Sequence, residues 1–293
     1  MMQKKFDRSA EDIGNVIALE HVNVRVPDQR LATLFYVAGL GLTRDPYLMT
    51  STNNMWVNIG RSQFHMPTGE PQVLRGRTGL VLPDRDKLLQ RLDRVREQLD
   101  GTQFAFEAHN DYVDTVSPWG NKVRCHTPDP KFGRILIGIP YVELDVPVGA
   151  AQGIARFYRE IMETHASVAT EDGVEVAHVM VGQNQEFIFR ETTVPPPPYD
   201  KHHIQVYVTN FSRPHARLLE RGLVTEESDQ WQFRFEDLVE PESNRVLFKL
   251  EHEVRSMTHP LYARPLVNRN PDQTNMAFAQ GHEVQPWAMP YGM

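Results

Sequence analysis

The sequence predicts an α+β fold built from four βαβββ units, and three observations carry that expectation. The strand at residues 20–28 (EHVNVRVPD) returns near the far end of the chain at 202–210 (HHIQVYVTN). Both alternate apolar and polar residues at the two-residue period of a strand, and in both a histidine leads the polar face. The same order, strand then apolar-striped helix then strands, recurs between them at intervals of about 50 to 60 residues. One such unit cannot bury both faces of its sheet, so the units are expected to pair.

Each element has its own signal. The first unit, 16–70, opens on the His21 strand and turns into a helix at about Asp28, with Leu31, Leu34, Phe35 and Tyr36 on one stripe. Gly39-Leu40-Gly41 ends that helix, and strands are expected at 43–49, 55–59 and 62–66. The second unit, 71–135, begins at Thr78, and its helix carries Leu88, Leu89, Leu92, Val95 and Leu99. Strands follow around Phe104, Val113 and Val123, the last after the turn Ser117-Pro118-Trp119-Gly120-Asn121. The third, 136–194, opens at 141–146, continues into a helix with Ile154, Phe157, Tyr158 and Ile161, and has strands near Val168, 174–181 and 186–191. Four prolines, Pro195 to Pro198, form a stiff extended linker. The fourth unit, 199–258, runs from His203 through a helix at 214–221 to strands at 231–235 and 245–254. An N-terminal tail, 1–15, and an irregular C-terminal tail, 259–293, flank the units. From Leu261 onward that tail lacks periodicity and is rich in Pro, Asn, Gln and Met, with Trp287 and Tyr291. It packs over the domains or onto a partner subunit, or is disordered.

The composition narrows the function. With 31 Lys and Arg against 38 Asp and Glu, a net charge of −7 and no basic stretch, nothing points to nucleic acid. The single cysteine, Cys125, excludes an internal disulfide framework and fits a reducing compartment. No apolar run approaches a membrane span, and the polar, charged start is not a secretory signal. The expectation is a cytoplasmic protein acting on a small molecule, without nucleic-acid or membrane partners and compatible with a homo-oligomer.

Alternation sorts the two faces of each strand. Val22, Val24 and Val26 make a core face, leaving His21, Asn23 and Arg25 opposite; Ile204, Val206 and Val208 do the same, leaving His203, Gln205 and Tyr207. On the last strands Phe64 and Met66 oppose His65, and Val246, Phe248 and Leu250 oppose Lys249, Glu251 and Glu253. Such a regular polar face is solvent-exposed or lines a polar cavity. His202 and His252 fall on the core side and read as structural; His109 and His126 read as ordinary.

With Phe35-Tyr36 and Phe157-Tyr158 in its helices and Pro118-Trp119-Gly120-Asn121 before a last strand, the chain resembles the vicinal oxygen chelate superfamily over residues 17–255. That superfamily includes glyoxalase I, extradiol dioxygenases and the bleomycin- and fosfomycin-resistance proteins. The resemblance implies that units pair their curved sheets into two cups around a divalent metal, the glyoxalase/bleomycin-resistance/dioxygenase fold. It also implies ligands on a unit's first and last strands, which here means His21, His65, His203 and Glu251. The other two units offer Arg77, Tyr141, Arg124 or His126, and Arg190, and arginine does not ligate divalent metals. Ligand count therefore favours pairing unit one with unit four, as in the monomeric fungal glyoxalases, over the sequential pairing of extradiol dioxygenases. By parity Glu191 joins Phe187 and Phe189 on the core side.

Three imidazoles and a carboxylate suit Fe(II) first, with Mn(II), Ni(II), Co(II) and Zn(II) as alternatives. The implied leading function is a dioxygenase-type oxidoreductase acting on a small molecule with vicinal oxygens. The alternatives are a glyoxalase-like lyase or isomerase, and a metal-free binding protein like the bleomycin-resistance proteins. His259, on a loop after the last strand, and Tyr207 are the candidate catalytic groups, with Arg25 a candidate substrate contact.

Overall fold

The computed structural model describes residues 7–46, 48 and 53–267. Expectations for residues 47 and 49 of the 43–49 strand, for residues 1–6 of the N-terminal tail, and for the tail beyond 267 with Trp287 and Tyr291, lie outside the described residues.

Unit one comprises β1 (Val16–Asn23), α1 (Gln29–Ala32, continuing as a π-helical turn over Thr33–Gly39), β2 (Thr43–Arg44), β3 (Asn54–Ile59) and β4 (Ser62–Pro67). Unit two comprises β5 (Gly76–Val81), α2 (Arg85–Val95), β6 (Ala105–Ala108), β7 (Tyr112–Val116) and β8 (Lys122–His126). Unit three follows with β9 (Gly138–Pro147), α3 (Ala151–Glu160), β10 (Ala166–Glu171), β11 (Val174–Gly182) and β12 (Gln185–Thr192). Unit four has β13 (His203–Val208), α4 (Ser212–Glu220), β14 (Val224–Asp229), β15 (Gln232–Val239) and β16 (Val246–Ser256). The strand β14 went unread in the sequence because all but its first residue are polar and exposed, which leaves no alternation to find.

The units pair one with four and two with three. One eight-stranded sheet has the order β14-β15-β16-β13-β1-β4-β3-β2 and the other β10-β11-β12-β9-β5-β8-β7-β6. At each seam the two first strands run antiparallel, β1 against β13 and β5 against β9, while each first strand lies parallel to its own unit's last strand. The architecture is thus α+β with two curved-sheet cups.

Local chemistry sets the helix starts. Asp28 accepts from the backbone N–H groups of Arg30 and Leu31 at 2.7 and 3.0 Å, and Asp84 from Lys87 at 3.0 Å, the usual carboxylate N-cap. Helix α3 takes its cap from across the sheet: the buried Glu191 carboxylate accepts from Ala151 N at 2.9 Å. Glu191 therefore faces the helix side, as alternation indicated.

The core forms where helices lie on the sheets. Phe35 and Tyr36, and Phe157 and Tyr158, are each at most 1% exposed, and each pair meets edge to face with centroids 4.9 and 5.7 Å apart. Burying one such ring contributes about 1.5–3 kcal/mol, which makes these aromatic pairs the main anchors of the helix layer. Helix α3 also touches β15 of the other sheet, and Gly153 lies close against Leu247 of β16, where a Cβ would be 2.5 Å from Leu247 Cδ1. A hydrogen bond ties the layers: Tyr158 Oη donates to His252 Nε2 at 2.6 Å, while His252 Nδ1 donates to the Leu250 carbonyl at 2.7 Å. His252 and His202 are fully buried and structural. Val246 departs from the expected core face; at the mouth of β16 it is 44% exposed.

Candidate metal centre

The seam of the first sheet gathers the histidines. His21 lies beside Gln205 across β1 and β13, and Asn23 beside His203. In parallel register, Asn23 also lies beside His65 on β4. One nitrogen from each of His21, His65 and His203 falls within 4.8 Å of the others. Their ring centroids are 5.6 Å apart for His21 and His65 and 5.8 Å for His21 and His203.

Each imidazole has one nitrogen engaged. His21 Nδ1 is 3.4 Å from Glu20 Oε2, His65 Nε2 donates to Asn54 Oδ1 at 2.8 Å, and His203 Nδ1 is 3.3 Å from Glu251 Oε1. Trp56 stacks on His65 with centroids 3.8 Å apart and meets His21 edge-on. Such partners fix ring orientation and tautomer and leave the second nitrogen with a lone pair. His21 Nε2 and His203 Nε2 are buried without a hydrogen-bond partner. An unsatisfied buried polar atom costs about 1–3 kcal/mol, a cost that a ligand shared by these two nitrogens would relieve. Burial holds His65 down to about 2, and it holds His21 and His203 well below the ordinary histidine range; Arg255 and Arg234 add to the effect at His21, and the neighbouring His21 ring and then Arg234 add to it at His203. All three rings are neutral at neutral pH, the form that ligates a metal.

The carboxylates are two, and the register distinguishes them. His21 pairs with Gln63 as His203 pairs with Glu251, and Asn23 pairs with His65 as Gln205 pairs with Glu253. The pseudo-twofold counterpart of His65 is therefore Glu253, and Glu251 corresponds to Gln63. Neither Glu251 nor Glu253 is one of the three-imidazole group; Glu251 lies against His203 Nδ1 and accepts from Arg234 at 2.6 Å. Glu253 is 2% exposed, has Oε2 3.6 Å from His203 Nε2, and is ion-paired to Arg234 and Arg255. Burial pushes its carboxyl up from the ordinary value against the pull of those two guanidiniums.

Glu20 is the residue that alternation hides. Strict parity would send it to the helix side, but β1 slips register between Leu19 and His21, a bulge that turns Glu20 and His21 into the same cup. There Glu20 accepts from Tyr207 Oη at 3.1 Å and from Arg255 Nη1 at 3.1 Å, and burial raises its carboxyl above the ordinary value. Arg234 and Arg255 were also missed; Arg234 sits between Phe233 and Phe235 on β15 and Arg255 shares the parity of Glu251 and Glu253 on β16, so carrying the alternation further along those strands would have found them. Gln205 is fully buried with neither amide atom bonded, and Asn23 Oδ1 is likewise unpartnered.

The remaining candidates lie around this centre. Tyr207 lines the cup through Glu20. His259 stands in the turn after β16, its ring centroid 6.4 Å from that of Tyr207, and its Nδ1 accepts from Leu261 N at 3.1 Å. Arg25 is exposed beyond the end of β1, packed beside Gly69 and outside the histidine group. Residues 261–267 lie across the cup: Tyr262 packs on Tyr207 at 4.9 Å, and Arg264 reaches the fully buried Asp45 at 2.8 Å.

The second cup holds ion pairs in place of ligands. Arg124 is bidentate to Asp114 at 2.8 Å, Arg77 lies 3.1 Å from Glu143, and Arg190 lies 2.6 Å from Glu171. His126 and the Tyr141 hydroxyl are hydrogen-bonded to each other at 2.9 Å. Among the described residues only the histidine group of the first cup has metal-ligand spacing.

No family model matches the sequence, and no curated protein does. Solved structures do. A presumptive dioxygenase from Bacillus subtilis superposes with a TM-score of 0.54 at 12% identity, over 83% of this chain and 86% of that one. Glyoxalase I from Zea mays gives 0.53 at 11% identity, over 81% and 92%, and a variant of it gives 0.55 at 9%, over 83% and 94%.

Proposed function

The chain has the vicinal oxygen chelate fold, and we propose that it is a metal-dependent enzyme of the dioxygenase type acting on a small molecule. The observation that carries this reading is the convergence of three neutral imidazoles within 4.8 Å, two of them with orphaned Nε2 atoms, at the seam of one cup. His21, His65 and His203 would hold the ion, with Glu253 at the fourth position and Glu251 beside it. Three nitrogens and a carboxylate suit Fe(II), Mn(II), Ni(II), Co(II) or Zn(II), and the dioxygenase reading selects Fe(II) among them. When bound, such an ion supplies Lewis acidity and a template for neighbouring substrate oxygens.

The chain's own residues supply the rest. Trp56 and the buried strand faces keep bulk water from His21 and His65. Glu20 and Asn54 hold the two rings in one tautomer. Arg234 and Arg255 fix the carboxylates of Glu251, Glu253 and Glu20. Tyr207, donating to Glu20, is placed to pass a proton between that carboxylate and the cup.

A specific observation favours a second reading, glyoxalase-like proton transfer: two buried carboxylates, Glu20 and Glu253, flank the imidazoles with their carboxyls pushed upward, as a general base requires. Oxygen uptake by the Fe(II)-loaded protein with a catechol panel, against turnover of a glutathione hemithioacetal, separates the two. Uptake without isomerisation supports the dioxygenase; hemithioacetal turnover without oxygen consumption replaces it with the lyase or isomerase.

A further inference from the structure

A cavity of about 850 Å³ lies behind Glu20 and Tyr207, the two cup residues farthest toward the start of β1. Five segments enclose it: the start of β1, the β3–β4 turn, the linker 134–139 between units two and three, the β11–β12 turn, and residues 261–266. Its volume falls within the roughly 300–1,000 Å³ of small-molecule sites. Ile17, Ile135, Leu136, Ile137, Ile139 and Leu261 give it an aliphatic lining. Leu136 stands at the open side of this lining, 55% exposed.

The charges at this cavity are unbalanced. Arg264 is matched by Asp45, and Glu20 by Arg255. Arg61, in the β3–β4 turn, and Arg134, at the head of the linker, are exposed and have no carboxylate partner among the described residues. Two uncompensated guanidiniums on neighbouring segments make this rim attractive to a carboxylate. Glu20 and Tyr207 also line the cavity, and Glu20 lies against His21.

We propose that this cavity binds an amphiphilic carboxylate, with its head group at Arg61 and Arg134 and its apolar body along the aliphatic wall toward Tyr207. The inference rests on the metal-centre reading only in calling that molecule the substrate; the binding itself does not require it. Rigid packing of the wall is set by Gly60, where φ is +61° and a Cβ would lie 2.0 Å from the Ile137 carbonyl, so turn and linker are in direct backbone contact. This brings the Arg61 turn and the Arg134 linker to the same rim.

Calorimetric titration of the full chain with decanoate, decanol and decyltrimethylammonium, before and after metal loading, tests the proposal. The expected result is one decanoate per chain, with decanol bound at least about tenfold more weakly and the cation not at all. Arg61→Ala with Arg134→Ala should weaken decanoate about tenfold or more without moving the melting temperature, since both side chains are exposed. Leu136→Glu, also at an exposed position, should weaken it by repulsion. Equal binding of decanoate and decanol, wild-type affinity in the double arginine variant, or no binding at millimolar decanoate would overturn it. Decanoate binding without metal uptake sinks the metal centre and leaves this site; metal uptake without decanoate binding does the reverse.

Discussion

Acid should loosen this protein through His252, and the size of the effect follows from its surroundings. The ring is fully buried, stacked on Phe235 with centroids 4.4 Å apart, and bonded between Tyr158 and the Leu250 carbonyl. Burial holds its pKa down from the ordinary 6.5 to about 3. The unfolded chain therefore binds a proton here between those values when the folded chain does not. The stabilisation is fully present above the ordinary value and is lost as pH falls through the window toward 3. At 1.36 kcal/mol per unit, lowering the pH from 7.5 to 5 should remove about 2 kcal/mol through this one residue. Denaturant unfolding of wild type and His252→Leu across that range isolates it. The variant is less stable at pH 7.5, and its deficit should shrink by about 2 kcal/mol at pH 5 because it lacks the titrating group. Tyr158→Phe supplies a second arm, costing about 1–3 kcal/mol by stranding His252 Nε2. A His252→Leu deficit that stays constant with pH would refute the reasoning.

Other consequences are equally direct. Glu20→Gln keeps the shape of the side chain but weakens the hold on His21 Nδ1, and metal affinity should fall about 10- to 100-fold at unchanged secondary structure, measured by competition with a chelating dye. Arg124→Ala in the second cup should leave metal stoichiometry untouched, because that cup is filled by ion pairs; losing this half-buried bidentate pair should cost about 1–3 kcal/mol, read by thermal melting. Gly60→Ala should cost more than about 2 kcal/mol by the same measurement, since the new Cβ meets backbone that cannot move aside.

The sequence carried the architecture because its signals were periodic. Alternation in the 20–28 and 202–210 strands identified the units, and the arginines at the ligand positions of units two and three argued for the pairing of one with four. Both rest on side chains whose face is set by a two-residue period. The centre was legible to the same depth. His21, His65 and His203 lie on regular strand faces, and the structure brings them together. Glu20 was not legible, because a one-residue bulge reverses its face and nothing in EHVNVRV marks where the ladder slips. Alternation does not rank Glu251 against Glu253, since both share a parity and they differ only in their register on β13. Strand β14 was hidden for a different reason: an exposed edge strand needs no apolar residues. The crossing of the cup by residues 261–267 depends on single contacts, such as Arg264 with Asp45, made across more than two hundred residues.

The central claim is one metal centre per chain, held jointly by the first and last units. Metal analysis of protein purified without chelator and reloaded with Fe(II), compared with His21→Ala, His203→Ala and the Arg124→Ala control, addresses it most directly. The account predicts one ion per chain in wild type and control, and loss of that ion in either histidine variant. A wild-type protein that takes up no stoichiometric metal, or a histidine variant that retains it, would contradict the claim.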